Sequence, residues 1–160
     1  LGVPGSEVAE HIGNYIIKNG RYIEFTLGRH PGTFLISKHE NSVSYDMSFK
    51  YAMAQGVPCS VIVIVDAVSR KYFTSETSWL WDINFDLLNN DIVKSIYLCG
   101  KYCNDLATRF AFTSVPQDKL HVYQDIDEAC GAIKASGEEQ LYAVTCFSDR
   151  EKFLSNTERK

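Results

Sequence analysis

The chain has 160 residues, 45% of them hydrophobic and 22% charged, which is enough apolar content for a core and excludes a compositionally disordered chain. Its 16 Lys and Arg against 20 Asp and Glu leave a net charge of −4, which argues against nucleic-acid binding through a broadly basic surface. No apolar run is long enough to span a membrane, and the length suits one domain.

Taken in chain order, Ser6–Lys18 carries apolar residues at helical spacing, with Ser6 as a possible N-cap and Gly20 past the end. Arg21–Leu27 alternates like a strand, and Thr33–Ser37 (TFLIS) is a second. Ser42–Gln55 reads as a helix that stops at Gly56–Pro58. Val61–Val65 (VIVIV) is a β-branched run, the mark of a strand buried on both faces. A mixed, acidic and aromatic stretch precedes the strand Ser95–Cys99 (SIYLC), and the helix Asn104–Phe112 follows. Lys119–Tyr123 is a weaker strand. Asp125 with Glu128 makes a capping-box pattern for a helix to Ala135, with Gly137 as its stop. Gln140–Val144 (QLYAV) is another strand, Arg150–Leu154 starts a last helix, and residues 155–160 read as a flexible tail. Strands alternating with helices imply an α/β fold: a mostly parallel sheet of about six strands with helices on both faces.

The five cysteines are odd in number and contain no C-x-x-C pair, so reduced structural thiols in a cytoplasmic protein are expected, with no metal site. The chain begins at Leu1 without a Met or a signal-peptide pattern, which suggests a piece of a longer protein. Neither a complete phosphate-binding loop nor a nucleophile-elbow or H-E-x-x-H motif occurs.

Three places can carry chemistry. Lys38, Asn41 and Ser42 follow the TFLIS strand and open a helix, and ligands of open α/β sheets bind at such strand ends. Lys38 can neutralise a phosphate; Asn41 or Ser42 equally serves as an N-cap. Asp66 closes the VIVIV run and joins them as a substrate or nucleotide contact. The second place is Ser75–Asp86 (SETSWLWDINFD), where Glu76 and Asp82 can orient a histidine or bind a cation. Trp79 and Trp81 there suit either a core or a partner surface. In the third, Gly100–Arg109, the i, i+4 spacing of Asp105 and Arg109 is most simply an intrahelical ion pair.

These segments resemble, in order, the C-terminal domain of MurT, the Mur-ligase-like subunit of lipid II isoglutaminyl synthase. The family's D-x-S-W-[IL]-[WY]-D-x-D-F-E stretch is similar to Glu76-Thr77-Ser78-Trp79-Leu80-Trp81-Asp82-Ile83-Asn84-Phe85-Asp86. Its glycine followed by D-x-A-x-R-x-x-[YF] is matched by Gly100, Asp105, Ala107, Arg109 and Phe112, and its closing strand by Thr145-Cys146-Phe147-Ser148. Three positions depart: the usual K-N-P-A-G turn is Lys38-His39-Glu40-Asn41-Ser42, a common arginine is Tyr102, and the aspartate before S-W is Glu76.

The resemblance implies a Rossmann-like Mur ligase C-terminal domain over residues 20–154, with residues 1–19 as the end helix of a preceding ATP-binding domain. It further implies half of an ATP-dependent carbon–nitrogen ligase, inactive as an isolated domain. ATP and Mg2+ would be bound mainly by the preceding domain, which phosphorylates the D-glutamate carboxylate of lipid II. Ammonia would come from a GatD-like glutamine amidotransferase. This domain would act as a lid over ATP and a docking surface for the glutaminase. An acid from it, at the position of Glu76, would complete the glutaminase Cys–His pair, with Asp82 the other candidate. The rival expectations are a lid of another Mur-like amide ligase, or a non-catalytic binding module of the same fold.

Overall fold

A computed structural model describes residues 21–37, 41–66, 76–137, 140–146 and 149–159. Among these residues seven strands form one sheet: β1 (Tyr22–Leu27), β2 (His30–Ser37), β3 (Cys59–Ile64), β4 (Val93–Cys99), β5 (Leu120–Tyr123), β6 (Gln140–Cys146) and β7 (Glu158–Arg159). Their spatial order is β5-β4-β3-β6-β2-β1-β7. All pairings from β5 across to β2 are parallel, and β1 is antiparallel to both its neighbours. The open, mostly parallel, Rossmann-like α/β sheet is therefore as the sequence implies. The seventh strand is the addition: Glu158 and Arg159, in the stretch expected to be a flexible tail, pair with Thr26 and Phe25.

Position in the sheet explains the strand sequences. β3 lies between β4 and β6, and all six of its residues are buried, so both faces are apolar. β1, near the edge, is buried only in part.

Among the described residues, four α-helices cover the two faces: α1 (Ser42–Ala54), α2 (Cys103–Phe110), α3 (Ile126–Ala135) and α4 (Arg150–Leu154). On one face, Tyr45 and Phe49 of α1 and Leu106 and Phe110 of α2 pack with Trp79, Ile83 and Phe85. On the other, Ile126, Cys130 and Ile133 of α3 and Phe153 of α4 pack with Phe25 and Phe34. Phe153 stacks on Phe34 with ring centroids 5.3 Å apart.

Local signals set the helix ends. Asn41 caps α1, its side chain accepting from the Ser44 N–H at 3.1 Å. Asp125 caps α3, accepting from the N–H groups of Asp127 and Glu128 at 2.7 and 3.2 Å. The mixed segment folds as two 3₁₀ turns, Ser78–Asp82 and Phe85–Leu88. All five cysteines are buried and none is in a disulfide, and burial pushes the Cys130 thiol up to about 11. The expected helix Ser6–Lys18 and the turn residue Lys38 lie outside the described residues. No helix among the described residues is long and apolar enough to cross a membrane.

Candidate functional site

Five parallel strands bring their carboxyl ends to one edge of the sheet, the edge where open α/β sheets bind ligands. A cleft of about 440 Å³ opens there, lined by Asp66, Lys101, Gln124, Asp125, Glu128 and Lys152. Asp66 organises it. Its Oδ1 accepts from the Lys101 N–H at 2.9 Å, and its Oδ2 pairs with Lys152 Nζ at 3.3 Å. Its own N–H donates to Asp149 Oδ2 at 3.0 Å. Asp149 is 2% exposed and stands where an N-cap of α4 would, yet its side chain caps nothing and turns inward. The same Oδ2 lies 3.5 Å from Thr145 Oγ1 and 3.4 Å from Cys146 Sγ. Thr145 Oγ1 also donates to the Ile64 carbonyl at 2.8 Å, tying β6 to β3 below the cleft.

Gly100 makes this edge possible. It has φ +98°, and a Cβ there would sit 2.7 Å from the Val65 carbonyl oxygen and 3.0 Å from Asp66 N. Only a residue without a side chain lets β4 turn this close to the end of β3.

The second site is the face formed by the 3₁₀ turns and α2. Trp79 is buried at 8% exposure and packs on Tyr45 with ring centroids 5.5 Å apart. Trp81, two residues on, is 53% exposed and lies against Phe112, which is 70% exposed, at 5.2 Å. Arg109 runs beneath Trp81. Its guanidinium carbon is 5.3 Å from the Trp81 ring centre and 5.6 Å from that of Phe85. Nη2 donates to the Ile83 carbonyl at 3.0 Å. The expected Asp105–Arg109 ion pair is therefore not formed. Asp105 instead accepts from Thr77 Oγ1 at 2.9 Å, which fastens the start of the tryptophan segment to α2.

Beside Trp81 lies a groove of about 210 Å³ lined by Thr77, Leu80, Trp81, Asn104, Asp105 and Thr108. Glu76 and Asp82, next in sequence to the lining residues Thr77 and Trp81, are both exposed. Glu76 Oε1 accepts from Ser78 Oγ at 2.5 Å. Asp86 accepts from the N–H and Oγ of Ser114 at 2.7 and 2.6 Å, and these bonds hold its carboxyl below the usual range.

The expected residues thus divide between two places. Asn41 and Ser42 lie at the end of β2 and Asp66 at the end of β3, with β6 between those strands. Asn41 acts as the N-cap, and Ser44 rather than Ser42 reaches back, its hydroxyl donating to Ser37 Oγ at 3.2 Å. Glu76, Trp81, Asp105 and Arg109 gather on the second face. Sequence reasoning missed Asp149, Lys101 and Lys152. Asp149 stands in no motif, and the Asp66 N–H it accepts from lies 83 residues earlier. No group of three or more His, Cys, Asp or Glu side chains among the described residues is placed to hold a metal ion.

An open, mostly parallel sheet with a charged carboxyl edge and helices on both faces defines a Rossmann-like α/β domain. The family model described as MurT ligase C-terminal matches residues 39–149, well over half of the chain, and the chain belongs to that family. Its role is accordingly Mur-ligase-like and tied to peptidoglycan synthesis. No curated protein matches the chain.

Proposed function

We propose that this chain is the C-terminal domain of a MurT-type ligase subunit that acts with a GatD-like glutaminase in the cytoplasm. The joint reaction is amidation of the D-glutamate of the lipid II stem peptide. The preceding domain forms the acyl phosphate from ATP and Mg2+. The glutaminase releases ammonia, which attacks the acyl carbon and expels phosphate. This domain closes on the nucleotide with its carboxyl edge and docks the glutaminase with its tryptophan face.

The residues at the edge suit a supplementary contact to ATP. Lys101 and Lys152 offer positive charge to a phosphate; Asp66 accepts from the Lys101 backbone N–H and pairs with the Lys152 ammonium group. Asn41 is engaged as a cap and Lys38 lies outside the described residues, so the preceding domain carries most of the binding in this reading.

The observation that carries the docking role is Glu76. It is an exposed carboxylate at the family's acid position, at the head of a segment fixed to the core by Trp79 and to α2 by the Thr77–Asp105 bond. Delivered to a Cys–His pair, it would fix the imidazole tautomer and orientation. Asp82 is exposed as well, but no hydrogen bond anchors its carboxylate among the described residues, so Glu76 is the better candidate.

The test is glutaminase activity of the complex with full-length subunits. Glu76→Gln is expected to lower glutamine turnover by at least 100-fold with the complex intact, and Asp82→Asn by less than threefold. Unchanged turnover in Glu76→Gln overturns the catalytic role. Absence of a complex with the native subunits overturns the docking role.

A further inference from the structure

Resting on the docking role proposed above, we infer that the Trp81–Phe112 ridge is the energetic anchor of the glutaminase interface, and that the groove beside it receives a cationic side chain of that partner. The ridge is the first reason. Two large aromatic rings more than half exposed and in mutual contact are poorly placed for a surface that faces only water. The buried Arg109 holds Trp81 in one orientation from below, so little side-chain freedom remains to be lost on binding.

The groove supplies the second reason. Its polar lining consists of the Asp105 carboxylate, the Asn104 amide and the Thr77 and Thr108 hydroxyls, all able to accept hydrogen bonds, beside the indole of Trp81. One Asp105 oxygen takes the Thr77 hydroxyl, and Asp105 remains exposed. At about 210 Å³ the groove takes one long side chain, and a guanidinium or ammonium group there would meet a carboxylate and a π face together.

Charge is the third reason. From Glu76 through Val93 there are four acids (Glu76, Asp82, Asp86 and Asp91) and no Lys or Arg. Arg109, the nearest base on α2, is buried beneath the rings rather than offered to a partner. A partner with a basic rim around an apolar centre complements this face.

The experiment is calorimetric titration of the full-length ligase subunit with its glutaminase at low and moderate salt. Phe112→Ala and Trp81→Ala are each expected to weaken the complex at least tenfold. Thr108→Trp, which fills the groove from an exposed helical position without removing a core group, is expected to do the same. Asp105→Asn is expected to weaken binding severalfold and to flatten its salt dependence. Native affinity in Phe112→Ala and Thr108→Trp, or an unchanged salt dependence in Asp105→Asn, overturns the anchor and leaves docking elsewhere on the domain standing. Failure of the native subunits to bind overturns both.

Discussion

Gly100→Ala should be the most damaging single-methyl change at the carboxyl edge. The magnitude has two parts. An alanine at φ +98° carries the left-handed penalty of about 1–2 kcal/mol. Its methyl group would also sit 2.7 Å from the Val65 oxygen and 2.9 Å from the Val65 carbonyl carbon, backbone atoms just past the end of the central strand β3, where the Val65 N–H is held by the Cys99 carbonyl. Overpacking of this kind costs about 1–3 kcal/mol, so the expected loss is about 2–5 kcal/mol. The strain falls on the Val65–Asp66 backbone, which holds the Tyr102 N–H through the Val65 carbonyl and Asp149 through the Asp66 N–H. Gly131→Ala is the internal control. Gly131 lies inside α3 with no atom within 4 Å of the would-be Cβ, so the same substitution should stabilise by about 0.5–1 kcal/mol. Urea unfolding followed by tryptophan fluorescence reads both. A Gly100→Ala variant within about 0.5 kcal/mol of the native chain would refute the close-approach argument, because no relaxation short of moving β3 removes that contact.

The two tryptophans should separate cleanly. Trp79→Ala empties a core position and should cost about 3–5 kcal/mol in urea unfolding, whereas Trp81→Ala, more than half exposed, should cost about 1 kcal/mol or less. Equal losses would place both rings in the core. Asp86 makes stability depend on acid. Its folded pKa is lowered, so the unfolded chain takes up the proton first as pH falls. The stabilisation is present above the ordinary carboxylate pKa of about 4 and is lost as pH falls through the lowered value. Asp86→Asn should therefore flatten the stability–pH profile below pH about 4, and an unchanged slope in denaturation at stepped pH would show that other carboxylates carry it.

The sheet was legible because burial on both faces leaves a continuous apolar run. β2, β3, β4 and β6 occupy central positions, and TFLIS, VIVIV, SIYLC and QLYAV announce them. β7 was hidden for the complementary reason. An edge strand of two residues, Glu158 and Arg159, pairs through backbone groups that any sequence possesses, so polar side chains conceal it. The tryptophan segment resisted assignment because 3₁₀ turns of four and five residues have no period long enough to read. Its composition nevertheless marked it, since alternate tryptophans can point in different directions within one short turn. One of them is now core and the other surface.

Arg109 shows why the site was harder to read than the fold. Local reasoning pairs it with Asp105, a contact worth about 0.2–0.5 kcal/mol on an exposed helix face. The fold gives the guanidinium more: a charged hydrogen bond to the Ile83 carbonyl of about 1.5–3 kcal/mol and the faces of Trp81 and Phe85 at about 0.5–2 kcal/mol. The tertiary partners come from 24–28 residues earlier in the chain, where no helical periodicity can point to them. The local rule loses, and its loss has a consequence. Released from Arg109, the Asp105 carboxylate takes the Thr77 hydroxyl, and Thr77 is the neighbour of Glu76. The arginine thus donates to the Ile83 carbonyl at the far end of the tryptophan segment, while the aspartate accepts from the Thr77 hydroxyl at the near end. Both ends of the segment are tied by α2, the near end through the Thr77 hydroxyl and the far end through the Ile83 carbonyl, and neither tie follows from helical spacing.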